Sequence, residues 1–298
     1  MRIGIVVNPV AGGNRGAQVG AEVLSLLSKS EHAITDLSGA TVLEARSKIE
    51  AALEGKMVDA LVFVGGDGIA HLGTNLCAGK NILMAIIPAG TGNDAAAMLG
   101  MPLTNTEQSV RLILEGLSAP KKIDAIKVSH GGKVTWALGS ASAGFDALAA
   151  ARANAISWPK GPMRYYVAML LELAKFKPIK YQSVIDGIPR DFEAMLCVVS
   201  NTGIYGGGML VVPGASVTDG SLDVLLVKKM SRLKFVTIFP RVYKGTHITD
   251  KDVEIFKATK ISISASGMPI YSDGEYVGQA PFEAEVVPGA ITMVAPAI

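Results

Sequence analysis

The sequence predicts an α/β protein, with an N-terminal α/β domain built on a parallel sheet and a C-terminal β-rich sandwich domain. Two observations predict the first part. The apolar run Asp59-Ala60-Leu61-Val62-Phe63-Val64 empties into Gly65-Gly66-Asp67-Gly68. A second run, Ile82-Leu83-Met84-Ala85-Ile86-Ile87, empties into Pro88-Ala89-Gly90-Thr91-Gly92, after which Asn93-Asp94 opens the helical stretch Ala95-Ala96-Ala97-Met98-Leu99. Successive strand-loop-helix turns put both loops at one edge of a parallel sheet, beyond the carboxyl ends of its strands, where α/β proteins bind ligands. The third observation is a change of pattern near Ile123, after which short strand-like runs divided by Gly, Pro and Asp turns dominate, the spacing of an antiparallel sandwich.

The elements follow in order. Ile3 to Val7 reads as a first buried strand, Asn8-Pro9-Val10-Ala11-Gly12-Gly13-Asn14 as a loop, and Ala17 to Leu27 as a helix. Thr41 to Gly55 has helical spacing with Glu44, Arg46, Lys48 and Glu50 outward, and Leu103 to Gly116 reads as another amphipathic helix. In the second half the strand-like runs are Ala125 to Ser129, Val134 to Gly139, Tyr181 to Ile185, Ala194 to Ser200, Leu222 to Val227, Lys260 to Ala265 and Phe282 to Val287. Two apolar helical segments interrupt them. Arg164 to Phe176 contains Lys175 near its end and is followed by Lys177 and Lys180, and Ser231 to Val242 has Arg232, Lys234, Arg241 and Lys244 beside its apolar residues. Such a segment either covers a sheet with its apolar face or, through its basic collar, meets an anionic membrane.

Composition narrows the function classes. With 298 residues, 49% of them hydrophobic, the chain has ample core for two domains or one large one. Cys77 and Cys197 lie in apolar or helical surroundings, which favours buried free thiols and a reducing cytoplasm over a disulfide or a zinc site. The N-terminal apolar run is too short for a signal peptide, and no apolar segment approaches the roughly 18 residues of a membrane span. A net charge of +2 without aromatic-and-basic stacking motifs argues against nucleic acid as a partner.

The glycine loops point to phosphate. Without Cβ atoms, backbone N–H groups approach phosphate oxygens closely, and a following helix start adds partial positive charge. Asp67 is repulsive beside phosphate unless a metal ion bridges them or the carboxylate accepts hydrogen bonds that fix the loop. Neither loop is a Walker A motif, since no Gly-Lys-Ser/Thr follows. Gly90 to Ala95 fits the short dinucleotide pattern G-x-G-x-x-[GA], but it is not the first strand-helix turn and lacks the acidic residue about twenty positions on. Asp273-Gly274-Glu275 lies between strand-like segments and reads equally as a hairpin turn or as a source of carboxylates. Tyr205-Gly206-Gly207-Gly208-Met209 offers an open, flexible wall.

These residues resemble a known family, the bacterial soluble diacylglycerol kinases and the wider lipid kinases, including sphingosine and ceramide kinases; NAD kinases and 6-phosphofructokinases are more distant relatives. The matching motifs are Asn8-Pro9 with Gly12-Gly13, Gly65 to Gly68, Pro88 to Asp94, Ser142-Ala143-Gly144-Phe145-Asp146, Tyr205 to Gly208, Asp219-Gly220-Ser221-Leu222-Asp223 and Asp273-Gly274-Glu275. They span nearly the whole chain in order. The resemblance implies an ATP-binding α/β domain over residues 1–122, to which residues 289–298 return, and a lipid-binding and catalytic sandwich over 123–288. It implies ATP and Mg²⁺ as cofactors, with Asn8, Gly65, Gly66, Asp67, Gly68, Gly90, Thr91, Gly92, Asn93 and Asp94 at the nucleotide. Asp273 would be the base for the lipid hydroxyl, with Glu275 close by, and Asp219 would hold a structural Mg²⁺ with the backbone carbonyls of Ser216 and Ser221. The lipid is expected to be diacylglycerol, met by a cytoplasmic protein in peripheral contact with the membrane, and a homodimer is an open option. The chain departs from the commoner pattern after Gly68, where Ile69, His71 and Leu72 replace Thr and Asn-Glu. Two other readings stay open: an NAD kinase or other small-molecule kinase, which the Gly90 to Asp94 loop disfavours, and a non-catalytic nucleotide or lipid binder, which the presence of Asp273 disfavours.

Overall fold

In the computed structural model, which describes residues 1–158, 162–175 and 177–296, the chain divides into two compact units. The first comprises Met1–Asp124 with Pro288–Ile298, the second Ala125–Val287.

The first unit is a parallel α/β layer. Its elements are β1 (Arg2–Val7), α1 (Ala11–Leu27), β2 (Ala33–Asp36), α2 (Val42–Glu54), β3 (Ala60–Gly65), α3 (Asp67–Cys77), β4 (Leu83–Pro88), α4 (Asp94–Met98) and α5 (Thr106–Gly116). Strand order is β4-β3-β1-β2, all parallel, with Ile5 beside Val62 and Val62 beside Ala85. The late residues Thr292 and Met293 add a further parallel strand against Leu83 and Met84. Every residue of β3 is buried, which is why its sequence is a continuous apolar run rather than an alternating one.

Helix ends follow from local chemistry. Thr41 caps α2 by accepting the Glu44 N–H, while the Glu44 carboxylate reaches back to accept the N–H of Ala40, the residue before the cap. Helix α5 starts at Thr106 rather than Leu103, because the Asn105 side chain accepts the Gln108 N–H and fixes the first turn there. Within α1, Gly12, Gly13 and Asn14 take left-handed φ of 55°, 70° and 77°, so the regular helix begins only beyond them. Gly68 and Asp67 are not loop residues: they are the first two positions of α3, with Gly66 as its N-cap.

The second unit is antiparallel. It contains β5 (Lys121–His130, from Ala125 onward), β6 (Lys133–Ala137), β7 (Ser140–Ser142), α6 (Phe145–Ala155), α7 (Pro162–Leu173), β8 (Ile179–Ile185), β9 (Ile188–Pro189), β10 (Phe192–Ser200), β11 (Ile204–Tyr205), β12 (Met209–Leu210), β13 (Leu222–Lys228), α8 (Arg232–Ile238), β14 (Val253–Ala258), β15 (Lys260–Ser264), β16 (Pro269–Ser272), β17 (Glu275–Gln279) and β18 (Phe282–Met293). One run of strands is β17-β16-β7-β10-β13-β14; β8 pairs with β10 through Tyr181 and with β15 through Ile185, and so turns the corner into β15-β18. One core between the strand layers holds Ala194, Cys197 and Val199 with Leu222, Val224 and Leu226. On the opposite face Met195, Leu196, Val198, Leu225 and Val227 pack under α6, α7 and α8. The pairing of β10 with β13 shifts between Ala194 and Leu196, so consecutive Met195 and Leu196 face the same side.

Several elements differ from expectation. Helix α6 was not anticipated, although its six alanines carry the highest helix propensity. The segment expected as one helix to Val242 is α8 followed by a 3₁₀ turn, Phe239–Lys244, because Pro240 lacks the N–H that would continue an α-helix. Of the segment Arg164 to Phe176, the side chains of Arg164, Tyr165 and Tyr166 and all of Phe176 lie outside the described residues. Along α7, Ala168, Met169 and Leu173 are buried, while Met163, Leu170 and Leu171 are exposed. Among the described residues no helix is long and apolar enough to cross a membrane.

Candidate active site

In the first unit the two glycine loops press backbone to backbone. A Cβ on Gly90 would lie 2.4 Å from the Gly66 Cα, and the Ala89 N–H donates to the Gly65 carbonyl at 2.8 Å. Gly65 has no room either, since a Cβ there would stand 2.8 Å from the Ile69 side chain and 3.2 Å from that of Asn8. Asn8 enters the same edge through its own N–H, which donates to the Val64 carbonyl. These glycines are therefore dictated by the contact between the loops.

The loop Gly90–Asn93 is closed by one side chain. Asn93 takes a left-handed φ of 62°, its Oδ1 accepts the Gly90 N–H at 2.8 Å, and its Nδ2 donates to the Gly90 carbonyl at 2.9 Å. Buried Asn93 is thus a scaffold for Thr91 and Gly92, which are exposed. Asp67 Oδ1 accepts the Ala95 N–H at 3.1 Å, and a Cβ on Gly92 would come within 2.6 Å of Asp67 Oδ2. The carboxylate expected beside phosphate is accordingly also the tie between the two loops. Asp94 is half-buried at the start of α4. His71 lies one turn along α3 and meets Asn75 four residues on, Nε2 to Nδ2 at 3.2 Å, a contact along the helix surface.

In the second unit Asp273 is the centre of a polar network. With Gly274 it forms the tip of the β16-β17 hairpin, both with positive φ, 48° and 82°, the conformation such two-residue turns require. Its carboxylate accepts three backbone N–H groups: Leu138 at 2.9 Å, Gly139 at 2.8 Å and Ser140 at 3.0 Å. The carbonyls of the same stretch are held from the other side, by the Asn201 Nδ2 on Leu138 and the Ser200 hydroxyl on Gly139. A Cβ on Gly139 would stand 3.0 Å from Asp273 Oδ1. The turn and the carboxylate are therefore not alternatives, since the strained tip aims the acid at the chain 135 residues earlier. Glu275 sits two positions on, exposed at the start of β17. Leu138 to Ser140 and Ser200 to Asn201 carried no site expectation; the signal available was the placement of Gly139 and Asn201 at strand ends.

The same unit contains a narrow apolar cavity of ≈ 50 Å³ whose walls include Phe145, Met169, Leu196, Met209, Phe235 and Val253. Tyr205, ahead of three glycines with φ of 72° to 87°, contributes to the wall. Two polar side chains also line it, Asp146 and His247. Burial raises the Asp146 carboxyl to about 6, opposed by hydrogen bonds from Ser142 and local backbone. Burial also lowers the His247 imidazole, whose Nε2 contacts the Val211 carbonyl at 2.8 Å. Both cysteines are buried, and burial pushes each thiol up to about 12.

The turn expected to hold a structural cation contains an ion pair. Asp219 Oδ1 accepts the Ser221 N–H at 2.9 Å, and Oδ2 receives the Lys257 ammonium at 2.5 Å. Lys257 pairs directly across from Asp223 in the β13-β14 register, its Nζ 3.6 Å from Asp223 Oδ2. The Ser216 hydroxyl turns to Thr218 at 3.2 Å. Both Asp219 oxygens are engaged, so with Lys257 in this position the carboxylate offers a divalent cation no open contact.

One unit thus carries the paired glycine loops, the other the clamped acid and the apolar cavity. Each unit matches a known domain. Residues 2–128 match the diacylglycerol kinase catalytic domain, and residues 139–295 match the YegS C-terminal NAD kinase beta sandwich-like domain. A diacylglycerol kinase from Mycobacterium tuberculosis is 32% identical over 296 residues, covering 99% of this chain and 95% of the relative. One from Bacillus subtilis is 27% identical, covering 95% and 92%. The crystal structure of a diacylglycerol kinase from Bacillus anthracis superposes with a TM-score of 0.73 at 22% identity, over 99% of this chain and 97% of that one. The chain belongs to the diacylglycerol kinase and YegS-like family of lipid kinases. Membership makes it a kinase, a phosphotransferase.

Proposed function

We propose that this lipid kinase transfers the γ-phosphoryl group of ATP to the hydroxyl of diacylglycerol, giving phosphatidic acid and ADP. The observation that carries the choice of an acyl lipid over NAD is the match of residues 2–128 to the diacylglycerol kinase catalytic domain, to which the apolar lining of the narrow cavity between α6, α8 and the β10-β13 strands adds a surface suited to hydrocarbon. The names of the relatives at 27–32% identity point the same way.

Gly68, Thr91 and Gly92, which are exposed, face the phosphates, while Gly65, Gly66 and Gly90 lack Cβ atoms so that the loops behind them can pack closely. Asn8 and Asn93 hold the two loops in place. The carboxylates of Asp67 and Asp94, beside an open glycine backbone, suit a Mg²⁺-nucleotide, and Mg²⁺ supplies charge neutralisation on the transferring phosphoryl group. In the second unit Asp273 accepts the proton of the lipid hydroxyl as that oxygen bonds to the γ-phosphorus and the bond to the β–γ bridging oxygen breaks, releasing ADP. The three N–H groups of Leu138 to Ser140 hold the carboxylate in one orientation for that transfer. Glu275 is the next acid along the hairpin. The exposed apolar residues of α7 with Lys175 and Lys177 form a surface for peripheral membrane contact.

The test is phosphotransfer from γ-labelled ATP offered in parallel to diacylglycerol, ceramide, sphingosine and NAD. Label in phosphatidic acid, exceeding the other products by about tenfold or more, supports the reading, a margin of about 1.4 kcal/mol in transition-state binding. Label in NADP or in a sphingolipid phosphate replaces it, and nucleotide binding without transfer to any acceptor returns the chain to a binding role.

A further inference from the structure

We infer that Lys257 is the built-in cation of the Asp219–Asp223 turn, doing there what a bound divalent ion would otherwise do, so that this turn folds without metal. Three observations carry this. The register of β13 against β14 places Lys257 directly opposite Asp223, so the ammonium is delivered by strand pairing and not by a flexible excursion. From that position Nζ reaches Asp219 Oδ2 at 2.5 Å and lies 3.6 Å from Asp223 Oδ2, bridging two carboxylates that would otherwise repel each other. Asp223 is buried, and its Oδ2 has no hydrogen-bond partner among the described residues, so Lys257 is the compensating charge for a carboxylate that water does not reach. Taking one partner from a buried charged group is costly because the other is left uncompensated. An ammonium and a divalent ion cannot both occupy the contact position on Asp219 Oδ2, and the pair fills it.

Asp219 ties the start of the turn to its end through the Ser221 N–H, so Lys257 connects this closed turn to β14. A divalent ion would need the lysine to leave and would receive one carboxylate and main-chain carbonyls in exchange. The expected consequence is a fold whose stability is indifferent to chelation in the absence of nucleotide. This inference is independent of which acceptor is phosphorylated.

The experiment is thermal unfolding of the full chain without nucleotide, in EDTA and in millimolar Mg²⁺, for the wild type, Asp219→Asn, Lys257→Met and the double variant. The wild type and Asp219→Asn should show the same Mg²⁺ response. In EDTA, Lys257→Met should lower Tm by about 2–4 °C, and adding Asp219→Asn to it should cost less than in the wild type, the signature of direct coupling. A Mg²⁺-dependent rise in wild-type Tm that Asp219→Asn abolishes would place a metal at the turn and overturn the inference, as would strict additivity of the two substitutions. If Lys257→Met does not accumulate, the Mg²⁺ responses of the wild type and Asp219→Asn decide alone.

Discussion

The two polar centres of this protein use the same device, a carboxylate accepting backbone N–H groups, in opposite settings. Asp67 binds the start of α4 only 28 residues away, beside glycines of which Gly66 and Gly90 pack against each other while Gly68 and Gly92 are exposed. Asp273 binds a strand end about 135 residues away and takes up three successive N–H groups there. In the first unit the acid organises a cradle, while in the second the cradle organises the acid. On the proposed function, the difference separates holding a phosphate donor from orienting a group for proton transfer.

The largest effect should come from filling the contact that makes the first cradle. Gly90→Ala drives a methyl into the Gly66 backbone, 2.4 Å away, where no flexible side chain can yield. A loss of about 3 kcal/mol of stability, the upper end for overpacking, together with loss of ATP binding, is expected from denaturant titration and calorimetry. Unchanged stability would mean that the loops are free to separate, which removes the comparison's first half.

Asp146 tests whether the pocket of the second unit tolerates charge. Its folded-state value of about 6 lies above the ordinary 3.8 because burial disfavours the carboxylate. Ionisation therefore costs stability: the cost is fully present above about pH 6, shrinks as pH falls through 6 and is gone below about 4. Asp146→Asn should be more stable than the wild type by about 2–3 kcal/mol at pH 8 and equal to it below pH 4, values that follow from about 1.4 kcal/mol per pH decade of displacement. Urea titrations at the two pH values check this, and a pH-independent difference would contradict it.

Asp67→Asn keeps the shape and removes the charge that the proposed Mg²⁺-nucleotide site relies on. It should cost about 2 kcal/mol in kcat/KM, and an unchanged kcat/KM would leave Asp67 as a loop tie only. Gly139→Ala should have the smallest effect, about 1 kcal/mol, because its Cβ would meet Asp273 Oδ1 at 3.0 Å, a distance a slight shift relieves. That loss should fall on kcat and leave the affinity for ATP intact, as a comparison of turnover with nucleotide titration would show.

The two centres were also unequally legible in the sequence. In the first, each strand is followed at once by its loop and helix, so Gly65 to Gly68 and Gly90 to Asp94 display the site in consecutive residues. Even there, the helical position of Asp67 and the closing role of Asn93 depend on contacts between loops that neither segment shows alone. In the second, Asp273 stands out only as a hairpin tip, and its partners Leu138 to Ser140 lie in an earlier strand connection with no pattern to link them. Short strands such as Ser140–Ser142 and Pro269–Ser272 have too few residues to show alternation, and the bulge at Met195-Leu196 breaks it in β10. The pairing of Lys257 with Asp219 and Asp223 follows from register, which local pattern does not reveal.

The most direct measurement of this division of labour is single-turnover transfer from ATP to diacylglycerol in mixed micelles by Asp273→Asn, with ATP affinity measured on the same preparation. The substitution keeps an acceptor oxygen for the Gly139 and Ser140 amides, gives up the bond from the Leu138 N–H and removes the basicity. ATP affinity within about twofold of the wild type with transfer slowed at least ~100-fold, the lower end of the usual contribution of a general base, is the predicted result. Transfer at the wild-type rate with matched ATP affinity would contradict it and would make Asp273 a clamp alone, with Glu275 the next acid to test.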